Sequence, residues 1–178
     1  MDETIVNKQN QLTRNSITEA LLKLIKEKPL SAVTINELTQ SAGVSRMAFY
    51  RNFTSKEDVL TSRIDDILDQ FKKETSEQHF STFYEAKNIR HCLAYFHRHD
   101  DFVDDLIIYG LSDTLLHDLT EYALDMWLPN RDDPIEYYRL VSFTGMLFNC
   151  YLNWIQTHNI SFDELIKQVI CMCEQAYV

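Results

Sequence analysis

Side chains that could bind a polyanion are concentrated between Thr34 and Lys56. Arg46, Arg51 and Lys56 carry cationic groups that pair with phosphate oxygens, and an arginine can also donate two hydrogen bonds to O6 and N7 of guanine. These residue types suit a nucleic acid if the backbone holds them on one surface, so the elements that would position them must be identified.

The same stretch has the start and stop signals of two short helices. Thr34 and Glu37 form a capping box, in which the threonine hydroxyl accepts from the Glu37 amide and the carboxylate reaches back, so a helix should begin directly after Thr34. Gly43 suits the left-handed position of a tight turn that ends this helix. Ser45 is a good N-cap for a second helix over 46–52. Two helices joined in this way form a helix-turn-helix, which places its second helix in the DNA major groove.

The apolar spacing divides this segment into an inner and an outer side. The residues expected to pack the two helices together are Ile35, Leu38, Val44, Phe49 and Phe53. The residues left facing outward are Arg46, Met47, Ala48, Tyr50 and Arg51. An ordinary tight helical corner is the alternative, since two helices often meet at a glycine. A preceding helix over about 11–28 and a second capping box at Ser55–Asp58 favour the DNA-binding interpretation.

Five segments of the first third of the chain match a known pattern. They are Ser16-Ile-Thr-Glu-Ala-Leu-Leu-Lys-Leu-Ile25, Val33-Thr-Ile-Asn-Glu-Leu38, Ala42-Gly-Val-Ser45, Phe49-Tyr-Arg-Asn-Phe53 and Lys56-Glu-Asp-Val-Leu60. Together, residues 12–60 resemble the N-terminal domain of the TetR family of bacterial transcriptional regulators. Beyond residue 60, the length and the helical layout match, as expected of a family whose C-terminal domains diverge.

The resemblance implies contacts with DNA for eight residues: Thr34, Ser45, Arg46, Met47, Ala48, Tyr50, Arg51 and Lys56. Thr34 and Lys56 match phosphate contacts, and Tyr50 matches a tyrosine that packs on the DNA backbone. Arg46 and Met47 are the expected base readers, with Ser45 and Ala48 beside them, whereas Arg51 could serve either role.

The fold class predicted from composition is all-α. Gly and Pro number only three each, so strands joined by tight hairpins are unfavourable. We expect an N-terminal three-helix, helix-turn-helix domain over 1–56 and a helical ligand-binding and dimerisation domain over 57–178. The helices predicted after the motif lie at about 56–77, 88–98, 102–109, 112–128, 135–157 and 161–177. A polar loop at Pro129–Pro134 is the clearest break in this second part.

Charge is distributed unevenly along the chain. Residues 1–60 carry eight Lys/Arg against seven Asp/Glu, which is a net charge of +1. Because the net charge of the whole chain is −10, the remaining residues carry a net charge of −11. An acidic body would be repelled by phosphate and would help to orient the basic edge toward a duplex. Simple solubility explains the acidity equally well, and the charge is therefore merely compatible with DNA binding.

Other classes of protein find little support in the sequence. We find no phosphate-cradling glycine loop, nucleophile elbow or zinc-binding helix motif, so we expect no enzyme, no metal and no cofactor. The N-terminus lacks the apolar run of a signal peptide, and the four cysteines show no disulfide spacing. A cytoplasmic location is the expectation.

A stretch of 23 residues, 140–162, contains no charged residue. Its Ser, Thr, Asn and Gln content is too high for a membrane span, and a helix that is apolar nearly all round must be covered on several sides. The simplest cover is a second copy of the chain, and in the resembled family the last two helices form a four-helix dimer interface. The residues predicted for this interface are Val141, Leu147, Trp154, Ile166, Val169 and Ile170. Burial within one subunit is the rival interpretation.

The second domain is rich in aromatic residues that could line a ligand pocket. The preferred candidates are Tyr95, Phe96, Tyr109, Tyr122, Trp127, Phe143 and Tyr151, with Phe80, Phe83, Tyr84 and Phe102 as further ones. Aromatic residues at helical spacing are more often core residues, and the many aspartates between 100 and 125 could favour a cationic ligand or simply form a solvated face.

The resemblance implies a dimeric regulator, usually a repressor, that binds an inverted-repeat DNA operator and is released by a small-molecule effector. Two alternatives stay open. The chain could be a regulator of the same family that responds to a partner protein, or a helical interaction protein that has lost DNA binding.

Overall fold

The computed structural model describes the backbone of residues 3–177 and the side chains of residues 9–176. Within this range the chain is helical and contains no strand, which confirms the predicted all-α class. The α-helices are α1 (Glu3–Glu27), α2 (Ile35–Ser41), α3 (Arg46–Asn52), α4 (Lys56–Ser76), α5 (Ala86–His97), α6 (Asp100–Ile108), α7 (Ser112–Trp127), α8 (Pro134–Thr157) and α9 (Phe162–Tyr177), with a short 3-10 turn at Leu30–Ala32.

The chain divides into two compact units, Met1–Asp69 and Gln70–Val178. The division falls inside α4, whereas the sequence suggested a boundary at residue 56. Val59, Leu60 and Ile64, on the first part of α4, are almost completely buried. Because these residues belong to the first unit, its core includes the beginning of α4 as well as the helix-turn-helix.

The first unit is built on α1, which contacts both α2 and α3. Ile17, Leu21 and Leu24 recur at helical spacing and are buried along one face of α1. The helix begins at Glu3, earlier than the predicted start near residue 11, and residues 3–10 contain no glycine or proline to interrupt it. It ends at Glu27, before Pro29, as predicted.

The second unit is assembled around α8, which contacts α6, α7 and α9. Asp133 caps this helix by accepting hydrogen bonds from the amides of Ile135 and Glu136, and Pro134 occupies the first helical position, where no amide donor is needed. His158 ends the helix in the left-handed conformation, with a φ of 44°. None of the helices within residues 3–177 combines the length and the apolar character that a membrane span requires.

Candidate nucleic-acid interface and internal cavity

The turn between α2 and α3 has the geometry that its sequence predicts. The Thr34 hydroxyl accepts a 3.2 Å hydrogen bond from the Glu37 amide, and the Ser45 hydroxyl accepts a 3.1 Å bond from the Ala48 amide. Gly43 has a φ of 66°, in the left-handed region that glycine enters at little steric cost. These local bonds fix where each helix begins, and α3 therefore starts with Arg46.

The two sides of α3 differ sharply in exposure. Phe49 is completely buried and packs against Phe53, with 6.0 Å between the ring centroids. On the opposite side, 81% of Met47 and 54% of Tyr50 are accessible. Exposed apolar and aromatic side chains at this density are unusual on a helix of seven residues, and they mark a surface suited to a partner.

The structure places four of the eight predicted DNA contacts on this surface. Arg46, Met47, Tyr50 and Arg51 are exposed along α3, while Ala48 is half-buried. Thr34 and Ser45 are exposed at the N-termini of α2 and α3. Their hydroxyl oxygens serve as helix caps, and each hydroxyl keeps a proton that it can donate.

Lys56 has a role that the sequence did not reveal. Its ammonium group donates hydrogen bonds to the carbonyl oxygens of Leu30 and Val33, at 2.6 and 2.7 Å. A lysine has three N–H donors, so one donor remains for a phosphate oxygen. Lys56 thus ties the turn before α2 to the start of α4.

Two further cationic residues brace the first unit from within. The Arg14 guanidinium donates to the carbonyl of Asn52, at the end of α3, and lies over the Phe53 ring at 4.7 Å from its centroid. Lys28 binds the Glu37 carboxylate at 2.5 Å, which lowers the pKa of that carboxyl group, with a smaller contribution from the Thr34 amide. Sequence reasoning counted Arg14 and Lys28 among the basic residues but could not assign these partners, which lie on other elements.

The second unit contains a partly open cavity of about 80 Å³ between α5, α6, α7, α8 and the end of α4, with the exposed Met126 at its rim. Its wall is mainly aliphatic and aromatic. The lining residues are Phe71, Thr75, Phe83, Asn88, Cys92, Leu93, Phe96, Val103, Leu115, Leu119, Tyr122, Ala123, Met126, Trp127, Leu140, Phe143, Thr144, Leu147, Phe148 and Tyr151.

Five of the seven preferred pocket candidates lie on this wall: Phe96, Tyr122, Trp127, Phe143 and Tyr151. Tyr95 and Tyr109 do not lie on it. Tyr95 is fully buried outside the cavity, where it packs on Phe71, and Tyr109 is the C-cap of α6. The aliphatic and small residues of the wall, such as Ala123 and Leu119, carry no signal in the sequence that separates them from ordinary core residues.

The predicted interface residues on α8 and α9 differ in how far they are buried within their own chain. Leu147, Trp154, Ile166 and Val169 are at most 9% accessible, so they offer little surface to a second copy. Val141 and Ile170 are half-buried. The accessible apolar residues on the same two helices are Ile135, Tyr138 and Met172, at 72%, 68% and 40% exposure.

Comparison with known proteins agrees with this layout. Residues 17–62 match the family model described as bacterial regulatory proteins, tetR family. A stretch of 47 residues is 38% identical to the HTH-type transcriptional regulator EthR of Mycobacterium tuberculosis, covering 26% of this chain. The match spans 22% of the length of that relative.

Solved structures resemble the whole fold. A TetR-family transcriptional regulator from Syntrophomonas wolfei superimposes with a TM-score of 0.70 at 20% identity, covering 94% of this chain and 95% of the other. A TetR transcriptional regulator from Streptococcus agalactiae gives a TM-score of 0.62 at 21% identity, covering 97% and 99%. At these identities the likeness concerns the fold, whereas the family model and the matched N-terminal residues concern the sequence. Residues 17–62 are therefore similar in sequence to bacterial regulatory proteins of the tetR family, and the rest of the chain is similar to TetR-family structures in fold alone.

Proposed function

We propose that this chain is a cytoplasmic, dimeric transcriptional regulator that represses its target genes until a small molecule enters the cavity of the second unit. The observation that carries the proposal is the outer side of α3, where Arg46, Tyr50 and Arg51 are exposed on a helix-turn-helix of a regulator family. A short helix with an exposed cationic and aromatic side is suited to the major groove of DNA.

The proposed contacts divide into two kinds. Arg46, in the first turn of α3, reads a guanine edge, with Met47 beside it. Thr34 and the remaining donor of Lys56 bind phosphate, and the exposed ring of Tyr50 packs on the backbone. Phosphate contacts determine affinity and its salt dependence, whereas base contacts determine sequence preference.

A second copy of the chain is the proposed partner of α8 and α9. Ile135 and Tyr138 are accessible on α8, and they border a shallow groove that also includes Ser142 and Ala176. A two-fold dimer presents the same face on both subunits and carries two α3 helices. The operator would therefore be an inverted repeat, with half-sites about one helical turn apart or a multiple of this spacing.

The cavity supports release by a small molecule over release by a partner protein, because its volume of about 80 Å³ suits a small ligand better than a protein segment. Helix α4 begins at Lys56, the proposed phosphate contact, and carries Phe71 and Thr75, which line the cavity. A ligand that displaces the cavity end of α4 could in this way change the geometry of DNA binding. A preference of a few kcal/mol for the non-binding state is enough to empty an operator.

The proposal is tested by selecting bound sequences from a random DNA pool, followed by gel shifts with competitor DNA at two salt concentrations. We expect an inverted-repeat sequence to be enriched, and its complex to survive competitor and weaken steeply with salt. Arg90→Ala is the control variant for substitutions of the proposed DNA contacts, because Arg90 is exposed on α5 in the second unit. It should bind the enriched sequence as the unmodified chain does. A pool without any enriched sequence would refute the regulator and favour a helical interaction protein.

A further inference from the structure

We propose that the effector is a small, uncharged and largely apolar molecule, about the size of a single ring, that is held without any charged partner. This inference rests on the proposed function, since it concerns the cavity through which release would occur. It adds the chemical class of the ligand, which neither the sequence nor the comparisons provide.

The size of the cavity limits the ligand. Its volume of about 80 Å³ is smaller than the roughly 150 Å³ of an engineered apolar cavity that binds benzene. A ligand of one ring, or a short branched chain, could enter if the surrounding side chains move slightly. A larger ligand would have to extend out of the cavity past Met126 or move the helices apart.

No Asp, Glu, Lys or Arg belongs to the described residues of the wall. The titratable groups that do line it are held neutral. Burial raises the pKa of the Cys92 thiol to about 12, and burial likewise raises the pKa of Tyr122, partly offset by its hydrogen bond to Thr75. A charged ligand would therefore find no group of opposite charge on the wall.

One side of the wall contains polar groups that are already bonded to each other. The Thr75 hydroxyl lies 3.0 Å from Nε2 of His91 and also bonds to the Tyr122 hydroxyl. His91 stands behind Thr75, stacked on the Phe71 ring at 5.7 Å, and burial lowers its pKa, which favours the neutral ring. The Thr75 hydroxyl is thus engaged with both neighbours, and a ligand would have to replace those bonds to reach it.

The other polar side chains of the wall are also engaged. The Asn88 amide donates to the carbonyl of Phe83 at 2.8 Å and accepts from the Cys92 thiol, and the Thr144 hydroxyl donates to the carbonyl of Leu140 at 3.0 Å.

Tyr151 completes this set, since its hydroxyl donates to the Asp100 carboxylate, which lies behind the wall. Apart from the indole of Trp127, each polar side chain on the wall thus has a protein partner. What the wall offers to a ligand is apolar area.

These features predict strong discrimination by charge. An apolar ligand gains free energy from the surface that it removes from water, whereas an ammonium or carboxylate group would lose its hydration without compensation. The acidic residues of α6 and α7, which could have favoured a cation, do not line the cavity, although Asp100 accepts from Tyr151. The cavity therefore does not favour the cationic ligand that the acidic residues suggested in the sequence.

The test uses the unmodified full-length chain and an isosteric pair of probes, ethylbenzene and benzylammonium. The two have the same shape, but ethylbenzene ends in a methyl group where benzylammonium ends in an ammonium group. Binding is measured at pH 7.5 by calorimetry and by the fluorescence of Trp127, which lines the cavity. Benzoate is the anionic probe. We expect ethylbenzene to bind and both charged probes to bind at least about 30-fold more weakly.

Ala123→Phe, which places a ring in the cavity, should abolish ethylbenzene binding. His117→Phe, at an exposed position of the same helix, should leave it unchanged. Both variants are checked for an unaltered unfolding transition, and the comparison of the probes does not depend on either variant.

Equal or tighter binding of benzylammonium or benzoate would overturn the inference. A lack of ethylbenzene binding up to its solubility limit would overturn it as well. A gel shift on the selected operator distinguishes failure of the inferred ligand class from failure of the proposed function. Ethylbenzene that binds without releasing DNA would support the ligand class and contradict release through this cavity.

Discussion

The ammonium group of Lys56 donates a 2.7 Å hydrogen bond to the carbonyl of Val33, the residue immediately before the cap of α2. A lysine expected to contact phosphate is thereby also part of the turn that positions Thr34. Under the proposed function, structure and DNA binding are coupled at this residue, and substitutions there are expected to affect both.

Lys56→Ala should lower the free energy of unfolding of the first unit by about 1 kcal/mol, because two backbone carbonyls lose a charged donor. It should also weaken binding to all DNA sequences alike and reduce the salt slope by about one. Urea unfolding and gel shifts measure the two effects. Lys23→Ala, at an exposed position of α1, is the control and should leave stability unchanged.

Arg46→Ala should relax sequence preference at one position of the operator, at a cost of about 1–3 kcal/mol for the preferred base. Its side chain is exposed, so the unfolding transition should not move. Competition between the selected operator and single-base variants measures this effect. An equal loss of affinity for selected and random DNA would show that Arg46 binds phosphate instead.

Arg14→Ala should impair DNA binding although Arg14 is not one of the predicted contacts. Its guanidinium bonds the last carbonyl of α3 and covers the Phe53 ring, and its loss should loosen α3 and lower stability by about 1 kcal/mol. Hydrogen exchange of the α3 amides should accelerate relative to those of α2. Unchanged exchange with normal affinity would contradict this bracing role.

Gly43 and Gly145 should respond oppositely to alanine. A Cβ at Gly43 or at Gly145 would meet no atom within 4 Å, but Gly43 has a φ of 66° whereas Gly145 lies within α8. Gly43→Ala should destabilise by about 1–2 kcal/mol, and Gly145→Ala should stabilise the subunit by about 1 kcal/mol. Thermal unfolding at low protein concentration measures both. Destabilisation by Gly145→Ala at high concentration alone would indicate that the α8 face lies in a dimer.

Acidification should destabilise the second unit through His91. Burial lowers its folded-state pKa below the ordinary 6.5, so the unfolded chain binds more protons as the pH falls below about 7. Stability should therefore decline between pH 7 and 5, above the range in which Glu37, Asp58 and Glu74 titrate. His91→Gln should flatten this decline, and His117→Gln, at an exposed position, should not. Equal slopes for both variants would contradict the assignment.

Local signals in the sequence predicted the first unit well, because caps and turns depend on residues a few positions apart. Thr34, Gly43 and Ser45 have the conformations and bonds that their types predict. The partners of Lys56 and Arg14 could not be predicted, since they depend on how separate elements pack.

The second unit shows the same limit more clearly. Tyr95 and Phe96 are adjacent in the chain, and yet only Phe96 lines the cavity. Trp154 and Val141 belong to one apolar helix, but the first is buried within the chain while the second is half-exposed. Apolar periodicity identifies a buried face without specifying whether protein, ligand or a second copy covers it.

Because the division between the two units falls inside α4, it determines where the gene could be cut to combine one unit with a unit of another protein. Val59, Leu60 and Ile64 complete the core of the first unit, so a gene fragment that ended at Lys56 would encode a domain with an uncovered apolar side. The portable segment is therefore residues 1–69. Joining this first unit to the second unit of another protein would need a crossover in the middle of a helix, where the reading frame and also the helical phase must be preserved.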